Sequence, residues 1–125
     1  MGNNSSVLSN QIKNEINTDP IVIFSTANCD SFLKAKDLLN NGKVPFKENS
    51  LTEYKSHHPE TYQAYVGALM AHTGSKTVPQ IFICGQFIGG FDDIYSLNKS
   101  NLIVPLIANC SRQMADSIIE RRRSK

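Results

Sequence analysis

The sequence predicts an α/β fold, a four-stranded mixed sheet flanked by helices. The first observation is an unbroken apolar run at residues 21–24, typical of a strand covered on both faces. The second is a stripe of apolar side chains at helical spacing over residues 62–70. The third is a pair of short apolar runs around Gly85, which indicates a β-hairpin. A strand–helix–strand unit followed by a hairpin favours a mixed sheet with helices on both faces.

Length and composition indicate one globular domain. The chain has 125 residues, of which 40% are apolar and 19% charged. The net charge of +2 is too small to indicate nucleic acid as a partner. No apolar stretch approaches the ~20 residues that span a bilayer, and the first residues lack the order of a secretory signal. We therefore expect a cytoplasmic protein, and we expect a monomer.

The N-terminal region predicts a helix that packs on the sheet. Leu8, Ile12 and Ile16 recur every four residues, and the stripe ends before Pro20. The final residues are rich in arginine. We accordingly divide the chain into a flexible N-terminal segment, a folded domain and a basic C-terminal tail: residues 1–7, 8–110 and 111–125.

Cys29 stands where the first predicted strand gives way to a helix. Residues 25–28 form a short polar loop, and an amphipathic helical pattern follows it, with Asn28 as the expected N-cap. The free backbone N–H groups and the dipole at a helix start favour an anion. A thiolate is such an anion, and it is the nucleophilic form of cysteine. The alternative interpretation is a small cysteine buried in the core.

The middle of the chain predicts alternating helices and strands. The helix after Cys29 is expected to end at Gly42, with this glycine as a left-handed C-cap. Residues 44–51 predict an edge strand, and residues 52–59 a polar connector. The next helix covers the stripe at residues 62–70 and stops near Gly74.

The last third of the chain predicts the hairpin and further helices. The hairpin strands occupy residues 80–84 and 86–88. A helical region then begins at Asp92, and Pro105 fits it only in the first turn of a new helix that starts near Asn101. Residues 114–120 either prolong that helix or fray.

The remaining cysteines and histidines suggest no metal site. The cysteine count is odd and the spacing unpaired, so we interpret Cys29, Cys84 and Cys110 as free thiols in a reducing compartment. We take Cys84 and Cys110 as structural or incidental. The adjacent His57 and His58 lie in a polar stretch and are interpreted as solvated.

The first six residues, MGNNSS, fit the N-myristoylation pattern with Gly2 as the acceptor. One acyl chain binds a membrane only marginally, and a basic cluster is a recognised second signal. Such a cluster is present at residues 121–125. The alternatives are a mobile polar terminus and a solvated basic tail. Peripheral membrane association through Gly2 is thus one hypothesis for this chain.

Three blocks in order give the chain a family resemblance: IVIFSTANCDSFLKAKDLL, GSKTVPQIFI and GQFIGGFDD. Together they resemble the glutaredoxins, which have the thioredoxin fold, over residues 12–108. The resemblance implies a glutathione-dependent thiol–disulfide oxidoreductase whose partners are glutathione and glutathionylated proteins. It gives Cys29 the place of the nucleophilic thiol. Phe32 stands where a second cysteine would be, so the site CDSF resembles the monothiol type.

The resemblance also implies a glutathione site. Residues 77–79 match the TVP loop, in which the proline peptide is cis and the valine backbone pairs with the cysteinyl part of glutathione. The preceding lysine would bind the glycine carboxylate, and the paired glycines with the following acidic residues would hold the γ-glutamyl end. Taken alone, the glycines fit a plain turn and the lysine a solvated loop. The implied glutathione-binding residues are Lys76, Thr77, Val78, Pro79, Gly89, Gly90, Asp92 and Asp93.

Two departures from the family pattern bear on the thiol. Relatives commonly carry a lysine three residues before it, where this chain has Thr26. Asp30 beside Cys29 adds a like charge that opposes the thiolate. We therefore keep three hypotheses, with the enzyme first. The second is a dimeric carrier of a [2Fe–2S] cluster ligated by Cys29 and glutathione, which the CDSF site does not favour. The third is a glutathione-binding adaptor of low activity.

Overall fold

The computed structural model describes the backbone of residues 3–124 and the side chains of residues 6–124. Within this range the chain forms four strands and seven helices. In chain order they are α1 (Asn3–Glu15), β1 (Ile21–Ser25), α2 (Asp30–Asn41), β2 (Lys47–Ser50), α3 (Leu51–His57), α4 (Tyr62–Thr73), β3 (Gln80–Ile83), β4 (Gln86–Gly89), α5 (Phe91–Lys99), α6 (Ile103–Ala108) and α7 (Arg112–Arg123).

The strands form one mixed sheet in the order β2-β1-β3-β4. Strand β1 pairs in parallel with β2 and antiparallel with β3, and β4 pairs antiparallel with β3. The predicted fold class is therefore confirmed, as is the edge position of β2. The register pairs Ile21 with Ile83 and Phe24 with Gln80. The carboxyl end of β1 thus lies beside the start of β3, and the amino end of β1 lies beside the end of β3.

Alternation along the strands divides the core into two layers, one on each face of the sheet. In the first core layer, Ile21 and Ile23 pack with buried side chains of α2, α5, α6 and α7. In the second, Val22 and Phe24 pack with those of α1, α3 and α4. Successive strand residues point to opposite faces, which explains this division. All five residues of β1 are buried because both faces are covered.

Helix α3 corrects the prediction of a polar connector at residues 52–59. Its N-cap is Ser50, whose Oγ accepts a hydrogen bond from the backbone N–H of Glu53 at 3.1 Å. Leu51 is buried in the core. Serine three residues before glutamate is the signature of a capping box. Local capping and one buried leucine thus stabilise a short helix in a polar stretch.

Helix α7 corrects the predicted basic tail at residues 111–125. Ser111 Oγ accepts from the N–H of Met114 and caps the helix, while Ala115 and Ile118 are buried in the first core layer. Their spacing of three residues places both on one helical face. The domain therefore extends past residue 110. At the other terminus, α1 begins at Asn3, inside the segment predicted to be flexible.

The end of α2 also differs from the prediction. Gly42 has a φ of −85°, so it is not a left-handed cap, and the positive φ of 63° belongs to Lys43. Arg122 Nε donates to the Gly42 carbonyl at 2.8 Å, and Arg121 Nη2 donates to the Lys43 carbonyl at 3.1 Å. A Cβ on Gly42 would lie 3.0 Å from Arg122 Nη2. Two arginines of the predicted tail therefore hold the carbonyl end of α2, a favourable place for cations.

The predicted hairpin is confirmed, but its cysteine is not free. The turn contains Cys84 and Gly85, both with positive φ, as a tight two-residue turn requires. Cys84 forms a disulfide with Cys110, and their Cα atoms lie 5.6 Å apart. The prediction of three free thiols is therefore wrong for these two. The fold brings the hairpin turn to the end of α6, a proximity that spacing in the sequence does not reveal.

Within residues 3–124, no helix combines the length and apolar character needed to cross a membrane. The predicted placement of Pro105 is confirmed, since it lies in the first turn of α6. His57 and His58 are exposed, as expected. Gly2, the predicted lipidation site, lies outside the described residues.

Candidate active site

The site begins at the junction between β1 and α2. Cys29 itself is the N-cap of α2, with φ −105° and ψ 114°, so the prediction of Asn28 as the cap is wrong by one residue. The side chain of Cys29 makes no capping hydrogen bond, and the residue is half-buried. The sulfur is thus carried at the amino end of a twelve-residue helix, where backbone N–H groups favour a negative charge.

The thiol contacts the loop before β3. Cys29 Sγ donates a hydrogen bond to the backbone carbonyl of Val78 at 3.8 Å. The Val78–Pro79 peptide is cis, as the family resemblance implied. Because β3 follows directly and pairs with β1, this loop is fixed beside the carboxyl end of β1. The structure therefore brings together two of the three sequence blocks.

The paired glycines bring the third block to the same place. A Cβ on Gly90 would lie 3.6 Å from the Pro79 carbonyl oxygen, so this backbone passes close to the cis-proline loop. Gly89 has a φ of 129°, and a Cβ there would overlap the carboxylate of Asp93. Only glycine is compatible with that position. Gly89 is thus required by the fold, beyond a plain turn, whereas a Cβ on Gly90 would meet the Pro79 carbonyl at an ordinary contact distance.

The acidic residues after the glycines begin α5. Asp93 Oδ2 accepts a hydrogen bond from the N–H of Gly90, the N-cap of α5, at 2.9 Å. The carboxylate therefore stabilises the helix start by capping it. Asp92 and Asp93 are both exposed. The implied contact of these carboxylates with glutathione stays a prediction.

The remaining predicted residues, Lys76 and Thr77, lie on the cis-proline loop and are exposed. Thr77 Oγ1 is 3.4 Å from Ser75 Oγ, within the same loop. Among the described residues, Lys76 has no ion pair, which leaves its charge available to an anion. Its place on the same loop as Val78 is consistent with the predicted site.

Phe32 occupies the position of a second thiol and belongs to the core. It is 2% exposed and packs in the first core layer. Lys36 Nζ lies 5.2 Å from the centre of its ring. The described residues contain no cluster of three or more histidine, cysteine or acidic side chains that could hold a metal. Within residues 3–124, Cys29 is the free cysteine.

Two supporting residues were not found from the sequence. Thr52 Oγ1 accepts a hydrogen bond from the N–H of Ala27 at 2.9 Å, which ties the loop before Cys29 to the start of α3. Gln80 is fully buried and donates to the carbonyls of Ser75 and Thr77. The contact of Ala27 with Thr52 has no sequence signal, because it joins segments 25 residues apart through the fold. The acceptors of Gln80 lie only three and five residues before it, and the available signal was a glutamine at the start of an apolar strand pattern.

Comparison with known proteins agrees with this geometry. The family model described as Glutaredoxin matches residues 21–88. Mitochondrial glutaredoxin-2 of Bos taurus is 36% identical over 112 residues, covering 88% of this chain and 67% of that protein. Its human counterpart is 37% identical over 103 residues, covering 81% of this chain and 58% of that protein.

Solved structures share the architecture. The holo form of glutaredoxin C1 from Populus tremula x tremuloides superposes with a TM-score of 0.74 at 28% identity, covering 84% of this chain and 90% of that one. A buckwheat glutaredoxin–glutathione complex has a TM-score of 0.75 at 24% identity, covering 88% and 96%, and this likeness concerns the fold. The chain spans 58–67% of the length of the five mammalian glutaredoxin-2 relatives it matches. It belongs to the glutaredoxin family and has the thioredoxin-like fold of that family.

Proposed function

We propose that this protein is a glutathione-dependent thiol–disulfide oxidoreductase that reduces protein–glutathione mixed disulfides by a monothiol mechanism. The observation that carries the proposal is the place of Cys29. Its half-buried sulfur lies at the start of α2 and contacts the cis-proline loop. Membership of a family of oxidoreductases supports the same reaction class.

The reaction balances with glutathione as the reductant. The Cys29 thiolate attacks the glutathione sulfur of the mixed disulfide, the substrate S–S bond breaks, and the substrate thiolate leaves and takes a proton. Cys29 is then joined to glutathione. A second glutathione thiolate attacks the glutathione sulfur of this adduct, which releases oxidised glutathione and regenerates the Cys29 thiolate. Phe32 cannot resolve the adduct, and the sulfurs of Cys84 and Cys110 are already joined to each other.

Glutathione would bind across the surface formed by the cis-proline loop and the start of α5. Lys76 would attract its glycine carboxylate, and the backbone of Val78 would pair with its cysteinyl unit. Backbone N–H groups at the start of α5 would take the γ-glutamyl carboxylate, with Asp92 or Asp93 near its ammonium. The buckwheat relative was solved as a glutathione complex, and the chain shares its fold.

Turnover of a glutathionylated peptide with glutathione as reductant tests the proposal. Wild-type protein should release the reduced peptide, and Cys29→Ser should lose the activity to the level of the uncatalysed reaction. The matched control is the double variant Cys84→Ser with Cys110→Ser, whose residues lie at the other end of the sheet and should not be required. Full activity in Cys29→Ser would show that the reaction does not depend on this thiol.

The cluster-carrier hypothesis gives a different result in a different experiment. A shared [2Fe–2S] cluster would need two copies of Cys29 and two glutathione molecules, since no other cysteine is free among residues 3–124. Anaerobic reconstitution followed by visible absorbance and gel filtration distinguishes the two. A colourless monomer that turns over the peptide supports the enzyme, whereas a coloured dimer without turnover supports the carrier. A colourless protein that binds glutathione without turnover supports the low-activity adaptor.

We propose a cytoplasmic location, with Gly2 as an N-myristoylation site. The pattern MGNNSS supports the lipid. The arginines offered as its second signal are partly engaged, because Arg121 and Arg122 bind carbonyls at the end of α2. In addition, α1 and α7 cover opposite faces of the sheet, so the helix that follows Gly2 and the helix that carries the arginines do not share a face. The intact mass of protein coexpressed with a myristoyltransferase tests the modification, and an unmodified Gly2 would contradict the lipidation proposal.

A further inference from the structure

Gln80 is the buried polar side chain nearest in sequence to the cis-proline loop. It is 0% exposed and follows Pro79 directly. Its Nε2 donates to the carbonyl of Ser75 at 2.8 Å and to that of Thr77 at 3.2 Å. Both acceptors belong to the loop, so one side chain holds two of its peptide groups. The donor is the buried partner, so a Gln80 side chain that lost these bonds could not pair with water instead.

The Gln80 amide has only one workable orientation. Its Oε1 is buried and has no partner among the described residues. The opposite orientation would place Oε1 against two carbonyl oxygens, which are acceptors like itself. A buried acceptor without a partner is unfavourable. The polar contacts of this buried side chain are therefore its two donated bonds.

These bonds fix the peptide group that would bind glutathione. The carbonyl of Thr77 and the N–H of Val78 belong to the same peptide plane. That peptide is trans, since the cis peptide of the loop is Val78–Pro79. In a trans peptide the C=O and N–H point in opposite directions. Because Gln80 holds the Thr77 carbonyl toward the interior, the Val78 N–H is directed away from it, and no partner for this N–H is found within residues 3–124.

We propose that Gln80 is a positioning residue for glutathione, acting by presetting the Thr77–Val78 peptide plane so that the Val78 N–H is presented to the ligand. This inference rests on the proposed function. It assigns to Gln80 no contact with the reacting sulfur, because Cys29 meets the loop at the next carbonyl, that of Val78. The binding step should therefore depend on Gln80 more than the chemical step does.

Gln80→Met tests the proposal, because methionine keeps the length of the side chain and removes the donor. We expect KM for a glutathionylated peptide to rise about tenfold, the factor that corresponds to one oriented hydrogen bond of about 1.4 kcal/mol. The value of kcat should stay within about twofold. The rate of Cys29 alkylation by iodoacetamide, which needs no glutathione site, should not change. Gln113→Met, an exposed glutamine on α7, is the matched control.

An unchanged KM in a folded Gln80→Met protein would overturn the inference, while wild-type turnover in the same assay would leave the proposed function standing. Equal losses of kcat and alkylation rate would also overturn it, because they would indicate general damage to the loop.

Amide hydrogen exchange of the wild-type protein covers the case in which the variant does not fold or the wild type shows no turnover. Slow exchange of the Gln80 side-chain amide, with a fast Val78 N–H that glutathione protects, is the expected result. A Gln80 side-chain amide that exchanges at the solvent rate would contradict the inference.

Discussion

The two ends of the sheet hold cysteine in opposite chemical states. At the carboxyl end of β1, Cys29 is a free thiol at the start of a helix. At the other end, the hairpin turn carries Cys84, which is bonded to Cys110. Cys84 N–H donates to the Pro20 carbonyl just before β1, so this second site adjoins the first residue of the same strand. One central strand thus separates a candidate reactive thiol from a disulfide.

The two cysteine sites lie at helix ends of opposite polarity. Cys29 is the N-cap of α2, and its sulfur contacts the Val78 carbonyl of the cis-proline loop. Cys84 Sγ lies 3.3 Å from the Leu106 carbonyl oxygen and 3.6 Å from that of Ile107, in the last turns of α6. The chain continues from α6 to Cys110, whose sulfur is bonded to that of Cys84. The same residue type is therefore placed for reaction at one end and for crosslinking at the other.

Removing the disulfide should have the largest effect on the free energy of unfolding and no effect on peptide turnover by Cys29. The bond closes a loop with a sequence separation of 26 residues. For a loop of that length, chain entropy predicts that the double variant Cys84→Ser with Cys110→Ser loses about 3–4 kcal/mol of unfolding free energy. Urea denaturation of the two proteins measures the difference. If peptide turnover fell as much as in Cys29→Ser, the two ends would not be separate.

Hydrogen bonds near the end of α1 join this helix to α4 without a covalent bond. Tyr65 on α4 donates its hydroxyl hydrogen to Glu15 Oε1, and Gln11 Nε2 donates to the other carboxylate oxygen at 3.1 Å. Tyr54 stacks on the Tyr65 ring with centroids 3.8 Å apart. We expect Tyr65→Phe to lose about 1.5 kcal/mol, because Glu15 keeps a second donor. Thermal unfolding measures the loss, and an unchanged midpoint would show that the hydroxyl contributes nothing.

The same contact gives the stability a pH dependence at its alkaline limit. Burial, followed by the hydrogen bond and charge of Glu15, raises the pKa of Tyr65 well above its usual range. An unfolded tyrosine ionises near pH ~10. The folded state resists that ionisation, so the contribution is complete below about pH 10 and is lost as the pH rises further. Tyr65→Phe should lack this part of the alkaline decline, and an identical decline in both proteins would contradict the assignment.

The two arginines of α7 that bind backbone carbonyls should have the smallest effect on stability. Arg122 and Arg121 bind carbonyls at the end of α2, on the exposed surface. Replacing either by glutamine should cost less than about 1 kcal/mol, because water replaces exposed partners readily. Arg123 is the matched control, since it makes no hydrogen bond within the described residues. A loss of turnover in Arg122→Gln would show that the far end of α2 affects Cys29 and would weaken the separation of the two ends.

Local patterns explain how much of this molecule the sequence predicts. Residues 21–24 and the hairpin around Gly85 predict strands of the sheet, and the stripe from Tyr62 predicts α4, because burial leaves a characteristic apolar pattern in the sequence. The three motif blocks locate Cys29 beside the cis-proline loop. Helix α3 was missed because its signal was capping by Ser50 instead of a long apolar stripe. That error concerned a weak local signal that was present in the chain.

Contacts between distant segments explain what the sequence does not predict. The Cys84–Cys110 bond depends on how the hairpin meets α6, and cysteine spacing alone does not show it. The hydrogen bond from the Ala27 N–H to Thr52 likewise joins the loop before Cys29 to a segment 25 residues away. The sequence of α7 resembles a solvated tail, because its arginines outnumber its two buried residues, and its place in the core depends on contacts with distant elements.

Mass spectrometry of the protein after exposure to oxidised glutathione tests the central claim most directly. We expect a single glutathione on Cys29, removed by excess reduced glutathione, with the Cys84–Cys110 disulfide intact throughout. Cys29→Ser should take up none. Glutathione found on Cys84 or Cys110, or no adduct on Cys29, would contradict the assignment of the reactive thiol to the start of α2.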